Sequence, residues 1–368
     1  RIEVEAGSRF SLTGGSVLTT TVLSKQLDSA DAARQDLVAC VTNVNPDYTI
    51  DNLVAITSPY NSFWGNTVYN SNGLSQTDTT VTITVLSTIT YLVRIENDGN
   101  MEPQITLTGS GNAGGWSVTY YDGIDTAAAV IPAVITSTGW LRPGVITSGG
   151  VAYICVELRA GASVLGGSAG EYTNYVRIIS NLSPTVTDTI RTRTRTNVFY
   201  QADNGISNSA GGPFVDMTIT STDGATQSVT QTAATNAVVT YYIRLEHDGN
   251  SQNDTFSVTG TSGNANWAVT YYNAPTGGSI CNNITTTGWT WGPVGPIATT
   301  PTDYTIIRAE VTPLTTTSGA TYTIYATIRS QGSGWTARDV VRANTICANY
   351  RPDLRYDTVW NGSYSQGD

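Results

Sequence analysis

The stretch YLVRIENDGN, residues 91–100, returns 150 residues later as YYIRLEHDGN, residues 241–250. In the first copy Tyr91, Val93 and Ile95 alternate with Leu92, Arg94 and Glu96. In the second, Tyr241, Ile243 and Leu245 alternate with Tyr242, Arg244 and Glu246. Period two with one apolar face is the pattern of a half-buried antiparallel strand. A strand block repeated at this distance points to a duplicated domain.

The duplication continues downstream in the same order. GSGNAGGWSVTYYDG at 109–123 returns as GTSGNANWAVTYYNA at 260–274, STGW ending at Trp140 as TTGW ending at Trp289, and EYTNYVRIIS at 171–180 as TYTIYATIRS at 321–330. Two homologous units of about 150 residues follow, at 46–200 and 201–350. Their predicted core is Tyr91, Val93, Ile95, Ile105, Leu107, Trp116, Val118 and Tyr120. In the second unit it is Tyr241, Ile243, Leu245, Phe256, Val258, Trp267, Val269 and Tyr271. Aromatic bulk at these positions suits the roughly 10 Å gap between two packed sheets. NDGN at 97–100 and HDGN at 247–250 read as hairpin turns, since Asp-Gly tolerates positive φ. Asp98 and Asp248, with Glu96 and Glu246 nearby, lack the repeated acidic positions of an EF-hand, so the reading is a turn with no metal. His247, the only histidine, is expected to be a turn residue matching Asn97. Helical periodicity is confined to Ser29–Asp36. Many strands and regular turn signals give an all-β chain of tandem β-sandwiches.

Composition agrees. Charged residues are 12% and hydrophobic residues 39%, with 20 Tyr and 8 Trp against 2 Met. Strand and turn formers fill the space that charges leave. The net charge of −10 opposes nucleic-acid binding, and Arg191, Arg193 and Arg195, alternating with Thr, read as the solvent face of one strand. No stretch reaches the roughly 18 apolar residues of a membrane helix. The chain starts at Arg1, as expected of an exported product whose leader was removed, or of an engineered fragment.

Both ends resemble pieces of the repeat. Unit 2 closes with DVVRANTICANYRPDL (339–354), and near the start stands DLVACVTNVNPDY (36–48). SVLTTTVLSKQ (16–26) weakly matches TYTIYATIRSQ (321–331), so residues 1–45 read as the last strands of an incomplete sandwich. Residues 351–368, RPDLRYDTVWNGSYSQGD, read conversely as a first strand. Exposed edges call for cover. Three covers are open: docking within the chain, a neighbour in a longer repeat array, or strand donation between copies. In the last, Leu354, Tyr356, Val359, Trp360 and Tyr364 form the assembly interface and head-to-tail contacts make a filament.

These residues resemble the Ig-like repeats of bacterial and archaeal extracellular proteins. The resemblance rests on the tyrosine-rich strand, the turns at Asn97–Asn100 and His247–Asn250, the W-x-V-x-Y-Y blocks at Trp116–Tyr121 and Trp267–Tyr272, and the closing strand before a new P-D start. It covers about residues 45–350 and implies tandem Ig-like antiparallel β-sandwich domains, extracellular or on the cell surface, in a structural or adhesive role. It carries over no catalytic residue and no cofactor. The chain departs from a long array in having two full copies.

An enzyme is not expected. A Ser-His system needs a positioned base and His247 falls on a predicted turn; GGSAG (166–170) lacks the strand-to-helix setting of a nucleophile elbow. Carbohydrate binding, by outward Tyr121, Tyr242 and Tyr272, is the rival reading, as an adhesive module. Cys40, Cys155, Cys281 and Cys347 fit no metal spacing. In an exported protein the first-choice disulfides are Cys281–Cys347 and Cys40–Cys155, with free buried thiols as the alternative. Four N-x-S/T sequons, at Asn181, Asn253, Asn283 and Asn361, are glycosylation candidates.

Overall fold

A computed structural model describes residues 14–25, 35–56, 62–74, 80–215, 220–298, 302–348, 355–356 and 365–366. It is all-β apart from three single-turn 3₁₀ segments. The chain divides into two compact units, residues 1–197 and 198–368.

The first unit opens with a hairpin of β1 (Val17–Lys25) and β2 (Gln35–Asn43), paired antiparallel from Val17↔Asn43 to Lys25↔Gln35. Gln35 and Asp36, assigned above to the end of a helical stretch, are strand residues; the rest of that stretch lies outside the described residues. A sandwich follows, built from β3 (Ile50–Ala55), β4 (Val81–Ile83), β5 (Thr88–Asn97), β6 (Ile105–Gly109), β7 (Trp116–Asp122), β8 (Ala129–Val130), β9 (Trp140–Leu141), β10 (Val151–Ala160), β11 (Tyr172–Ser180) and β12 (Thr187–Thr196). One sheet runs β3-β5-β10-β7-β8 and the other β4-β12-β11-β6-β9. All pairs are antiparallel except β4 on β12.

The second unit repeats the plan with β13 (Ala202–Ser207), β14 (Ser228–Ala233), β15 (Val239–His247), β16 (Asp254–Gly260), β17 (Trp267–Tyr272), β18 (Trp289–Val294), β19 (Thr305–Pro313), β20 (Thr321–Ser330) and β21 (Arg338–Cys347). Its sheets run β13-β15-β19-β17 and β14-β21-β20-β16-β18, with β14 parallel to β21. Two short strands, β22 (Arg355–Tyr356) and β23 (Ser365–Gln366), pair near the end.

Each unit has one core formed between its two sheets. Every predicted core residue is in it; Val118 and Val269 are the two that stay half-buried. The copies solve the same packing problem in the same way. Trp116 stacks on Tyr172 with ring centroids 5.9 Å apart, and Trp267 on Tyr322 at 5.4 Å. Buried Tyr120 bonds the carbonyl of Ser110 at 2.8 Å, and buried Tyr271 that of Thr261 at 3.1 Å. Along β12, Thr192, Thr194 and Thr196 are buried while Arg191, Arg193 and Arg195 face partly outward, as the alternation predicts.

Three expectations are corrected. The NDGN and HDGN segments are not hairpin turns, because β5 and β6, like β15 and β16, belong to opposite sheets. Neither Gly99 nor Gly249 has a positive φ. Both are glycines because the chain passes too close: a Cβ on Gly99 would strike the Asp47 carbonyl, and one on Gly249 would stand 2.6 Å from that of Phe199. The arch between sheets presses on the entry to its own domain.

His247 is the last residue of β15 and fully buried rather than a surface turn residue. Its Nδ1 accepts from the Gly249 N–H at 3.1 Å, which leaves Nε2–H to donate to the Ser251 hydroxyl at 2.7 Å. Asn97 does the same work in unit 1, accepting from Gly99 N–H at 3.1 Å and donating to the carbonyls of Met101 and Ile146.

The four thiols are free. Cys155 sits in mid-strand between β5 and β7, Cys281 next to a 3₁₀ turn, and Cys347 at the end of β21, all three buried, while Cys40 is exposed on the hairpin. Cys281 and Cys347 pack in the core of unit 2 as small hydrophobes, and Cys155 is buried on the face of β10 opposite its core residues.

Overpacking a well-filled site typically costs about 1–3 kcal/mol. Gly249→Ala and Gly99→Ala should each lose about that much in urea unfolding. His247→Asn, which restores the side chain of the other copy, should lose less than His247→Ala. Equal losses would show that the buried ring, not its hydrogen bonds, holds the arch.

Candidate functional sites

Each unit carries an acidic cluster at the same place. Strand register sets Asp51 directly opposite Glu96, and Asp203 directly opposite Glu246. Asp98 and Asp248 stand just beyond the strand ends. In each triad, Asp51–Glu96–Asp98 and Asp203–Glu246–Asp248, one carboxylate oxygen from every residue lies within 4.8 Å of the others. Like charges directly opposite across a sheet destabilise it.

A fourth carboxylate approaches from the opposite sheet. Asp188, buried at the start of β12, accepts from the backbone N–H of Asn52 (2.8 Å) and of Asn70 (2.9 Å). Asp339, buried at the start of β21, accepts from Asn204 (2.8 Å) and Ser221 (2.5 Å). Gln227 adds a side-chain bond to Asp339 at 3.1 Å. The Asp51 side chain meets Asp188 and the Asp203 side chain meets Asp339.

Counter-charge is limited. The Arg94 guanidinium rests against Glu96 and over the Phe63 ring at 5.6 Å; that of Arg244 rests against Glu246 and over the Tyr304 ring at 4.0 Å. The buried aspartates are left with their charge. Asp51 is fully buried: Oδ2 accepts from Thr67 N–H at 2.7 Å and Oδ1 has no hydrogen-bond partner. Asp203 is fully buried and neither carboxylate oxygen has a partner. Burial pushes Asp51 up to about 8, with Asp188 and Asp98 adding to the effect. Burial pushes Asp203 up to about 9, with Asp248, Asp339 and Glu246 adding. Glu246 rises to about 7 through burial, against the pull of Arg244.

Asp98 and Asp248 are thus more than turn residues, and sequence reasoning missed the third carboxylate of each triad. A signal existed in Ile50-Asp51-Asn52 and Ala202-Asp203-Asn204, where an Asp-Asn pair opens both units.

The second candidate is the β1–β2 hairpin. Val17, Leu37 and Val41 on one face, and Leu18, Val22 and Val38 on the other, are all more than a third exposed. Of the residues expected at the assembly interface, Tyr356 is described only as part of β22; Leu354, Val359, Trp360 and Tyr364 lie outside the described residues, as does Asn361. Asn181, Asn253 and Asn283 are on the surface, and the Asn283 amide is engaged with the Gly288 carbonyl at 2.7 Å. Tyr121, Tyr242 and Tyr272 are half-buried, Tyr272 beneath the Arg308 guanidinium at 4.1 Å, so they form no open platform. An open groove of about 420 Å³ on unit 1 is lined by Asn72, Ser110, Tyr175 and Arg177 among others.

No family model matches the chain, and no curated protein matches it. Among solved structures it is similar to the CupB6 tip adhesin from Pseudomonas aeruginosa, at 8% identity and a TM-score of 0.34, covering 82% of this chain and 100% of that one. It is similar to the C-terminal domain of the antigen I/II-family protein AspA of Streptococcus pyogenes, at 10% identity and a TM-score of 0.24, covering 81% and 99%. A third likeness is to the C-terminal domain of the Streptococcus agalactiae AgI/II polypeptide BspA, at 8% and 0.23, covering 81% and 99%. Similarities this low leave the function to the chain's own residues.

Asp51, Asp203 and Glu246 hold a proton more tightly folded than unfolded, where carboxyls titrate near about 4. Their contribution to stability is full below about pH 4 and is lost as pH rises through the folded values. In metal-free buffer the Tm should fall between about pH 7 and about pH 8.5, as the folded-state carboxyls lose their protons. Asp51→Asn with Asp203→Asn should flatten that slope; a slope unchanged in the double variant would place its origin elsewhere.

Proposed function

We propose that the chain is a non-catalytic structural subunit of an extracellular assembly, in which the C-terminal segment of one copy completes the β1–β2 hairpin of the next. The hairpin carries this reading. Two nine-residue strands with apolar side chains on both faces and no third strand among the described residues are marginal in water. Their uncovered apolar faces call for an opposing strand, as β3 opposes β12 in the first sandwich.

Two sequence relations name the occupant. The stapling aspartate is the second residue of β12 (Asp188) and of β21 (Asp339), and Asp36 is the second residue of β2. The tail carries the matching half: Pro352-Asp353-x-x-x-Asp357 repeats the spacing of Pro46-Asp47-x-x-x-Asp51. In the assembly Asp36 of the acceptor would cap the backbone of the donor at Thr358, as Asp188 caps Asn52. Val359 and Trp360 would then follow as Leu53 and Val54 follow Asn52.

The non-catalytic part is supported by the burial of Asp51 and Asp203, which a substrate could not reach. Low charge, tyrosine richness and three surface sequons support an extracellular setting. A second reading, an adhesive or carbohydrate-binding module, is favoured by the groove beside Tyr175 and Arg177, where a ring and polar groups face solvent together.

Negative-stain imaging of the purified chain beside a version lacking residues 351–368 tests the proposal. Filaments or head-to-tail oligomers are expected from the full chain only. Monomers in both samples would sink strand donation. Glycan-array binding that is lost in Tyr175→Ala would then favour the adhesive reading.

A further inference from the structure

The buried acidic triads have no role in strand donation, and their arrangement calls for a partner of opposite charge. We propose that Asp203, Glu246 and Asp248 bind one oxygen-preferring divalent cation, calcium foremost, and that Asp51, Glu96 and Asp98 bind a second in unit 1.

Three observations carry this. The ligand atoms of each triad already lie within 4.8 Å of one another, close enough to share one ion with little rearrangement. Asp203 is fully buried at the centre of its triad, with both carboxylate oxygens lacking any hydrogen-bond donor. Asp248 also has one oxygen without a donor. Buried polar groups are nearly always satisfied, and a buried carboxylate with neither oxygen bonded is a costly exception. The third observation is the charge balance. Around Asp203 stand Glu246, Asp248 and Asp339, and among the described residues the cation facing them is Arg244, which is taken up by Glu246 and the Tyr304 ring. Around Asp51 stand Glu96, Asp98 and Asp188, with Arg94 held by Glu96.

A proton taken up by the cluster would neutralise one charge and compete with the ion. Divalent binding displaces it and neutralises two. Affinity must therefore rise with pH, since the ion binds the deprotonated cluster. An all-oxygen ligand set selects calcium, magnesium or manganese over soft metals. Calcium is preferred because it takes irregular protein-oxygen cages, whereas magnesium demands octahedral geometry and keeps several waters. Unit 1 is the weaker site: Asp51 already accepts one bond from Thr67, and Asp98 accepts from the Tyr69 hydroxyl at 2.6 Å.

The test uses the full chain, stripped with EDTA and exchanged into metal-free buffer at about pH 8. Calorimetric titration with CaCl₂ should show up to two sites per chain. Terbium should give luminescence sensitised through Tyr69 and Tyr304 and displaced by calcium. At a hundredfold excess of calcium over Kd the Tm should rise by about 5 °C or more. That rise should shrink at about pH 5. Asp203→Asn should remove the tighter site, and the double variant with Asp51→Asn should remove both, with near-UV circular dichroism reporting the fold. No heat, no terbium signal and no Tm shift at millimolar CaCl₂ in the unsubstituted chain would show that the triads hold protons only, and would overturn the proposal. Undiminished binding in a folded double variant would overturn it equally. These readouts do not depend on assembly, so they stand or fall apart from strand donation.

Discussion

The structure turns on one buried carboxylate per sandwich. β3 and β13 are edge strands, each paired with a strand on one side, β5 or β15, and met on the other by a single bridge, Val54 to Trp64 or Ile206 to Val215. Their outward N–H groups need acceptors, because an unpaired buried backbone donor is expensive. Asp188 and Asp339 supply one each, to Asn52 and to Asn204, from the second residue of β12 and of β21 in the opposite sheet. Each also ties down the segment that covers the edge, at Asn70 and at Ser221. One side chain thus closes the sandwich, protects its edge and fixes the stagger of the two sheets. Asn52 and Asn204 finish the joint by donating to the Val176 and Ala326 carbonyls across the core.

That solution creates the next problem. A carboxylate placed at the seam draws the chain into an arrangement where three more gather: two from the end of the neighbouring strand and one beside the capped amide. Both copies keep the crowd, with the same residue types at the same register. Removing the central charge, by isosteric Asn, would be easy for a sequence that needed only the cap. Retaining it means that the native state carries a strained electrostatic group whose neutralisation, by proton or by ion, sets its stability. An environment with calcium and near-neutral pH would favour one occupant, an acidic one the other.

Much of the architecture was legible because strands are read one residue at a time. Alternation along 91–96 and 241–246 named the inward faces, and the repeat supplied an independent copy of each assignment. What failed was what crosses between sheets. Asp-Gly in NDGN suggested a two-residue hairpin, yet the glycine answers a close backbone approach to Asp47, a neighbour 52 residues away that no local pattern discloses. The disulfides failed for a related reason: spacing along the chain does not tell which face of which sheet a cysteine occupies. The acidic cluster was only partly visible in the sequence. Asp98 and Glu96 were visible together, while Asp51 enters through strand pairing and is buried with them only once the sheet forms. His247 was read as a turn residue; it ends β15 instead, and its bridge to Ser251, four residues on, holds it inside.

The hairpin at residues 17–43 gains its meaning from the same joint. In each sandwich the last two strands form a consecutive antiparallel pair, β11–β12 and β20–β21; β1–β2 is also a consecutive antiparallel pair, and under the proposed strand donation it would be that pair without the rest. In both sandwiches the far edge of the last strand takes a parallel strand, β4 or β14, from early in the same unit. A third sandwich built like the first would take its opening strand, which lies in the opposite sheet, from a segment that starts after a P-D step and carries an aspartate four residues on, as β3 does. The tail holds both. If the repeat is cut out of phase with its domains, each subunit ends with the opening of a sandwich that the next subunit closes. Linkage then needs no dedicated interface, only the fold's own edge, its own stapling aspartate and the burial of Val17, Leu37, Val38 and Val41. The energetics of joining two copies would be those of closing one domain, which is a stronger bond than surface contact between two finished ones.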